Sequence, residues 1–352
     1  MSHLHFDPEI SGSIESGLFG IPTTADKSEL WLLPVPWEAT ASYGGGAAAG
    51  PNTILNESTQ LDFYIHGIEN HYLKGFHWLE ESSELHTLNK LTKPMAANVM
   101  DELSSKPINE LSPEAIDSLK QVNKASERVN QVVYETAKQA HDQGKLFATV
   151  GGDHSCPLGA IQLLSEKYNG DFGILHIDAH FDLRDSYQGF KYSHASIIKN
   201  ALDLPQPPKS LVQWGIRDYA QSEFELATEH PSIHFLLDSA YHEARSLGKT
   251  LALLCEEWIQ YLPKNVYISF DIDGLMPHLC PNTGTPVPGG LEFNDALFLI
   301  RTLVKSGRRI IGFDLCEVSP DPNASGAQWD GNVGARILFQ LCSWTLESQS
   351  NE

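Results

Sequence analysis

DFGILHIDAHFD, residues 171–182, is the stretch from which the fold can be read. Its first half, Phe172 to Ile177, is an apolar run with the length of a buried strand. Its second half is polar, with Asp178, His180 and Asp182 spaced two apart. Alternate residues of an extended segment point to one side, so three potential ligands converge if the extended shape persists to the tip. Two other stretches share the design. LFATVGGDHS (146–155) runs from apolar residues through glycines to Asp153 and His154, and VYISFDIDG (266–274) ends in Asp271 and Asp273. Acidic residues often close strands because turns favour them, so one such tip is uninformative. Three tips carrying five aspartates and two histidines predict one multi-metal site at the rim of a parallel sheet.

The flanking pattern agrees. Apolar runs predict further strands at 30–35, 211–215, 233–237 and 309–313. Amphipathic or capped stretches predict helices at 111–141, 161–168, 193–202, 251–262, 293–305 and 331–346. Ser112 and Pro113 open the first of these helices. Strand and helix alternate from residue 146 onward, the pattern of a mostly parallel sheet covered on both faces. Ligands in such sheets gather outside the carboxyl ends of the strands, where the three tips lie. Residues 1–29 read as an irregular extension and 30–347 as a single catalytic domain. PWEATASYGGGAAAGP (36–51) reads as a loop turned by Gly44 to Gly46 and lacks the G-K-[ST] ending of a phosphate loop. The aromatic segment 52–110 offers His71, Phe76, His77 and Trp78 either as pocket lining or as packing and capping groups.

Composition narrows the class. The chain has 352 residues, 41% of them apolar, enough for a full core. A formal charge of −21 disfavours nucleic acid and anionic lipid as partners. No run reaches the roughly 18 apolar residues of a membrane helix, and the polar N-terminus does not read as a signal peptide. The five cysteines, with no C-x-x-C pair, fit reduced thiols in the cytoplasm. Histidine nitrogen with several carboxylates suits Mn, Zn, Ni, Fe or Co, and the excess of acidic oxygen favours manganese over a single tetrahedral zinc. Two ions sharing carboxylates can lower the pKa of a water held between them. No G-x-S-x-G elbow points to a covalent route.

GGDHS (151–155), DAHFD (178–182), SFDIDG (269–274) and GTPVPGG (284–290) together resemble the signature blocks of the arginase–agmatinase–formimidoylglutamase family, the ureohydrolases. The similarity runs from about residue 30 to 346, and the 34–51 segment resembles the family's agmatinase-like N-terminal block. The resemblance implies a three-layer αβα sandwich around a mainly parallel eight-stranded sheet, two Mn2+ ions per subunit with Ni2+ as an alternative, and a homotrimer or homohexamer. It implies that His154, Asp178, Asp182 and Asp271 hold one ion and His180, Asp178, Asp271 and Asp273 the other. Asp182 would also orient the nucleophilic hydroxide. Glu317, in FDLCEVSP, matches the family's guanidinium-pairing glutamate, Thr285 its substrate-side threonine, and His194 its proton-shuttling histidine, although Ala195 replaces the usual glycine. Asp153 and His176 read as supporting groups around the ligands.

The substrate tail is less clearly written. Arginase carries a second Asp where this chain has Ala220 in GIRDYA, while Asp218 and Glu223 fall at acidic family positions. Arg184 resembles the arginine of formimidoylglutamase that meets a substrate carboxylate, or else pairs with Asp185. Met276 replaces a family Asp outside the metal shell. Trp37 and Trp329 either narrow the pocket or belong to the core. The lost arginase carboxylate leans toward an agmatinase-like enzyme that releases urea. Arginase, guanidinobutyrase, guanidinase, formimidoylglutamase releasing formamide, a deacetylase of the same fold and a metal-binding relative without turnover are the alternatives.

Overall fold

The computed structural model describes residues 7–10, 12–68 and 70–351. Its strands are β1 (Leu30–Val35), β2 (Phe76–Trp78), β3 (Leu146–Gly151), β4 (Gly173–Ile177), β5 (Ser210–Ile216), β6 (Ile233–Leu237), β7 (Asn265–Asp271) and β8 (Arg309–Cys316). They form one eight-stranded sheet in the order β2-β1-β3-β8-β7-β4-β5-β6. Every pairing between these strands is parallel. The chain winds from β1 through β3, skips two places to β4, runs outward to β6, then returns to fill the gap with β7 and β8. The four strands of the middle, β3, β8, β7 and β4, therefore bring their carboxyl ends together at the point where the winding reverses, which is where open α/β sheets bind ligands.

Helices cover both faces. They are α1 (Gly50–Glu57), α2 (Ser83–Leu103), α3 (Pro113–Asp142), α4 (Leu158–Tyr168), α5 (Ile197–Leu202), α6 (Gln221–Glu229), α7 (Asp238–Ser246), α8 (Leu251–Ile259), α9 (Phe293–Lys305) and α10 (Trp329–Ser348). On one face Leu32, Val150, Leu175, Ile268 and Leu315 pack with Ile54 of α1 and with apolar residues of α7 to α10. On the other, Trp31, Leu33 and Val35 pack against α3 and α4, while Ile174, Leu211 and Tyr267 pack against α4, α5 and α6. Covered on both faces, the strands are nearly unbroken apolar runs rather than alternating ones. The chain is a three-layer αβα sandwich, as the motifs implied.

The helix over 113–142 starts where its sequence signals say. The Ser112 hydroxyl accepts the Ala115 amide at 3.1 Å, with Pro113 in the first turn. Its buried stripe, Ala115, Val122, Ala125, Val129, Val133, Ala137 and Ala140, keeps helical spacing. Segment 52–110 is more ordered than its composition suggests. It holds most of α1, the three-residue edge strand β2 and the 21-residue α2. Pro94 inside α2 hides that helix from a periodicity reading. The helices α6 and α7, nine residues each and polar in composition, also do not stand out. Before β1, Leu18 is buried and Phe19 packs edge-on against Phe76 and Phe339.

The crossing of α3 and α4 is close enough to need glycine. A Cβ at Gly159 would come 2.1 Å from the Asn130 carbonyl oxygen and 2.6 Å from the Tyr134 nitrogen. Gly159→Ala should therefore lose about 1–3 kcal/mol of stability in urea unfolding while leaving metal stoichiometry at the sheet rim unchanged. An unaltered unfolding midpoint would show that the two helices can part freely.

Candidate metal centre

Each ligand candidate sits just beyond a strand end. His154 follows β3, Asp178, His180 and Asp182 follow β4, Asp271 closes β7 and Asp273 lies two residues on. Local hydrogen bonds aim them. The Asp178 carboxylate accepts the His180 amide at 2.6 Å, Asp271 accepts the Asp273 amide at 2.8 Å, and Asp273 accepts the Ala179 amide at 3.0 Å. The last bond ties the β7 tip to the β4 tip.

Two donor groups result. His154 Nδ1 lies 3.0 Å from Asp178 Oδ2 and 3.3 Å from both Asp182 Oδ2 and Asp271 Oδ2. His180 Nδ1 lies 3.4 Å from Asp178 Oδ1 and 3.2 Å from Asp273 Oδ2. The two oxygens of Asp178 thus serve one group each. Around a divalent ion with bonds of about 2.0–2.2 Å, neighbouring ligand atoms stand about 3 Å apart, so the spacing and the nitrogen–oxygen donor set fit two such ions. His176 Nε2 is also 2.9 Å from Asp178 Oδ2, and its Nδ1 meets Gln213 at 2.8 Å. Asp153 enters neither group; its carboxylate accepts the Ser155 amide at 3.0 Å and the Ser155 hydroxyl.

The charge balance points the same way. Burial pushes Asp271 well above the usual carboxylate range, with Asp273 and Asp178 adding to the effect. Asp182 is pushed up to about 6 by burial and by Asp178. Burial and Asp153 raise Glu317. Against its own burial, Asp178 is held well below the usual range by His176, His154 and His180. Burial opposes a charge on His154, yet Asp178, Asp182 and Asp271 outweigh it and raise its pKa. Buried carboxylates in such number favour a divalent cation among them, which would stabilise their charged forms.

Below the tips lies a polar row of which only His176 stands out in the sequence. Thr149 registers with Asp314, Asp314 with Ser269, Ser269 with His176 and His176 with Gln213, one level across five adjacent strands. Ser269 Oγ is 2.9 Å from His154 Nε2, and Asp314 Oδ1 is 3.5 Å from it. A proton on Nε2 directed at these oxygens leaves Nδ1 for the donor group, the usual way a ligating histidine is oriented. The available signal was a Ser and an Asp inside otherwise apolar strands.

Above the donors is a cavity of about 160 Å³. His154, His180, Asp182, Arg184, His194, Asp218, Glu223, Asp271, Thr285 and Glu317 line it, joined by Ser42, Tyr187 and Ala195. Asp182 and Glu317 both have left-handed backbones, φ 54° and 64°. Such conformations cost of order 1–3 kcal/mol each and cluster at functional positions. Glu317 is held there by its amide to the Gly152 carbonyl at 2.8 Å and by Oε1, which accepts the His154 amide at 2.9 Å. Thr285 donates to Asp273 Oδ2 at 3.2 Å.

His194 is pushed down to about 4 by burial and then by His180 and His154, and its shielded Nδ1 has no partner among the described residues. Arg184 pairs with Glu223 at 3.3 Å and stacks 4.8 Å from the Tyr187 ring centre, whereas Asp185 pairs with Lys199. The alternative pairing of Arg184 with Asp185 is therefore corrected. Glu223 also accepts the Leu183 and Ala220 amides. Trp37 is buried in the core and Trp329 is exposed, bonding the His278 carbonyl; neither lines the cavity. His71, Phe76, His77 and Trp78 stand apart from it as well, His71 against Glu347 and His77 on the Thr23 carbonyl.

The arginase family model matches residues 28–343. The chain belongs to the arginase family. An N(1)-aminopropylagmatine ureohydrolase of Thermus thermophilus is 29% identical over 299 residues, 85% of each chain. The mitochondrial arginase 1 of Arabidopsis thaliana is 30% identical over 245 residues, 70% of this chain and 66% of that one. The solved agmatine ureohydrolase of Thermoplasma volcanium shares the fold, with a TM-score of 0.66 at 24% identity over 93% of both chains. The two donor groups form a binuclear metal-binding site typical of this family's ureohydrolases. Among the described residues, no helix is long and apolar enough to cross a membrane.

Two outcomes follow from this geometry. Calorimetric titration with Mn2+ should count two ions in the native protein and lose both sites in Asp178→Asn, because one side chain supplies both groups; loss of a single ion would show that the groups are independent. Acid should weaken the metal-free fold through His194. Unfolded imidazole takes a proton near 6.5 and the folded one only near 4, so its contribution is full above 6.5 and is lost as pH falls toward 4. His194→Gln should flatten that part of the stability–pH curve, and equal slopes in the two proteins would contradict the assignment.

Proposed function

We propose that this protein adds water across a guanidino carbon–nitrogen bond, releasing urea and an amine, with an agmatine-like guanidinoalkylamine as substrate. The observation carrying this reading is that Glu317 and both donor groups open into the same small cavity. Two divalent ions bound there, manganese by preference and nickel as the alternative, would supply Lewis acidity and a water of lowered pKa. Glu317 presents a carboxylate to a planar cation whose paired N–H groups match it. Its raised pKa means that a guanidinium beside it restores the charged form. Asp182 orients the attacking water by accepting its hydrogen bond. His194 lines the same cavity, where it is placed to relay a proton to the departing nitrogen. Thr285 steadies Asp273 at the substrate side.

The tail end of the cavity favours a cationic or neutral substituent. Arg184 and Glu223 are paired with each other, which leaves Asp218 as the less committed charge among these lining residues. Relatives named as aminopropylagmatine ureohydrolases agree with that preference. A second reading, a guanidino or formimino acid, rests on Arg184 itself, which lines the cavity and could turn its remaining N–H groups to a tail carboxylate. The proposal extends to 30–347 as one catalytic domain, to a homotrimer or homohexamer, and to a cytoplasmic setting, which the buried, unpaired cysteines suit.

The deciding assay is product release by manganese- and nickel-loaded protein from agmatine, arginine, guanidinobutyrate, guanidine and formimidoylglutamate, with urea and formamide measured separately. Urea from agmatine is expected. Glu317→Gln should lower kcat/KM about 100-fold or more, since it removes the charge facing the guanidinium, without changing the number of bound ions. Formamide alone, or urea only from the guanidino acid, would overturn the substrate assignment in favour of an Arg184 clamp.

A further inference from the structure

The glycine run 44–46 has no chemical task in the proposed reaction, yet the segment that carries it walls the cavity through Ser42, beside Glu317 and Thr285. Gly44, Gly45 and Gly46 all have positive φ, 68°, 129° and 114°. Three such residues in succession are free to move unless contacts from outside order them. The tip is held by close approach: a Cβ on Gly44 would come 2.8 Å from the Cα and oxygen of Gly284. The base is held by charge. Glu38 is buried, and its Oε2 accepts the Gly46 amide at 2.6 Å and the Ala48 amide at 3.2 Å. Its Oε1 is bound by the ammonium of Lys93 on α2. One turn earlier on that helix, Asn89 accepts the Glu38 amide at 3.0 Å. Lys93 also flanks the loop, since a Cβ on Gly45 would lie 3.6 Å from its Nζ.

We infer that Glu38, held by Lys93, is a positioning residue that fixes the glycine loop as a wall of the substrate cavity and so governs how tightly substrate is bound. Hydrogen bonds to a charged acceptor are stronger than neutral ones, and Glu38 spends three of them where the loop meets α1 and α2. Without the ammonium, the buried carboxylate loses its counter-ion and the arrangement loosens. The donor groups touch neither residue, so the effect falls on substrate binding rather than on metal loading. The kinetic part of this inference rests on the urea-forming reading; the ordering of the loop does not.

The test uses full-length Mn2+-loaded protein with Lys93→Met, Lys93→Arg and Glu38→Gln. Lys93 is half exposed, so its replacement leaves the core intact. Hydrogen–deuterium exchange over residues 42–48, Mn2+ stoichiometry, and KM and kcat for the panel compound that yields urea are measured. Lys93→Met and Glu38→Gln should speed exchange over 42–48 about tenfold or more. They should raise KM about tenfold, equivalent to about 1.4 kcal/mol, with kcat nearly unchanged and both ions bound. Lys93→Arg should recover most of both effects. Unchanged exchange and KM in Lys93→Met would overturn the inference, as would a fall in kcat at constant KM or an Arg variant as defective as the Met one. If no panel compound yields urea, the proposed reaction fails, and the exchange measurement alone still decides whether the pair orders the loop.

Discussion

Four aspartates, Asp178, Asp182, Asp271 and Asp273, are buried within hydrogen-bond reach of two histidines at one edge of a parallel sheet. Burial alone disfavours that much negative charge. The histidines hold Asp178 down, while burial and neighbouring carboxylates push Asp271 and Asp182 up. A pair of divalent ions removes the conflict, and the spacing of the donor atoms suits them. Other features serve this constraint: the skipped strand order that gathers four strand ends, the left-handed backbones of Asp182 and Glu317, and the row of Thr149, Asp314, Ser269, His176 and Gln213 beneath.

The site divides into a rigid floor and an adjustable rim. The floor consists of strand ends and backbone-to-carboxylate bonds, with little freedom to change. The rim is made of loops: Ser42 to Gly46, the Arg184–Tyr187 turn, Asp218 and the 284–290 segment. The candidate metal ligands belong to the floor, and the remaining lining of the cavity belongs to the rim. Solved structures named as an agmatine ureohydrolase, an arginase and a formimidoylglutamase share this fold over most of its length. Likeness in fold therefore carries the reaction class further than it carries the substrate.

Several ionisable groups near the rim are already engaged. Arg184 is bound to Glu223 and stacked on Tyr187, Glu223 also caps α6, and Glu38 is bound to Lys93. Counting charged residues in the sequence overstates what is free to meet a substrate. Asp218, exposed at the mouth, is the less committed carboxylate.

The sequence by itself marked most of the sheet and the strand tips that carry the candidate ligands. Strand tips such as DAHFD and SFDIDG are local patterns that set carboxylates and histidines just past apolar strands, but the extended path stops there: Asp182 is left-handed and Ile272–Gly274 turns as a 3-10 helix, so loop geometry rather than period two aims the ligands. Seven of the eight strands are legible as apolar runs, because a doubly covered parallel strand must be apolar. The eighth, Phe76–Trp78, is too short to show a pattern, and α2 is masked by Pro94 and a thin apolar stripe. Tertiary structure alone decided the pairings between distant residues. It aligned Ser269 and Asp314 under His154, turned Arg184 to Glu223 instead of Asp185, and brought Lys93 of α2 onto Glu38, 55 positions away. Such contacts depend on strand order, register and helix placement, which set distances in space that spacing along the chain does not record.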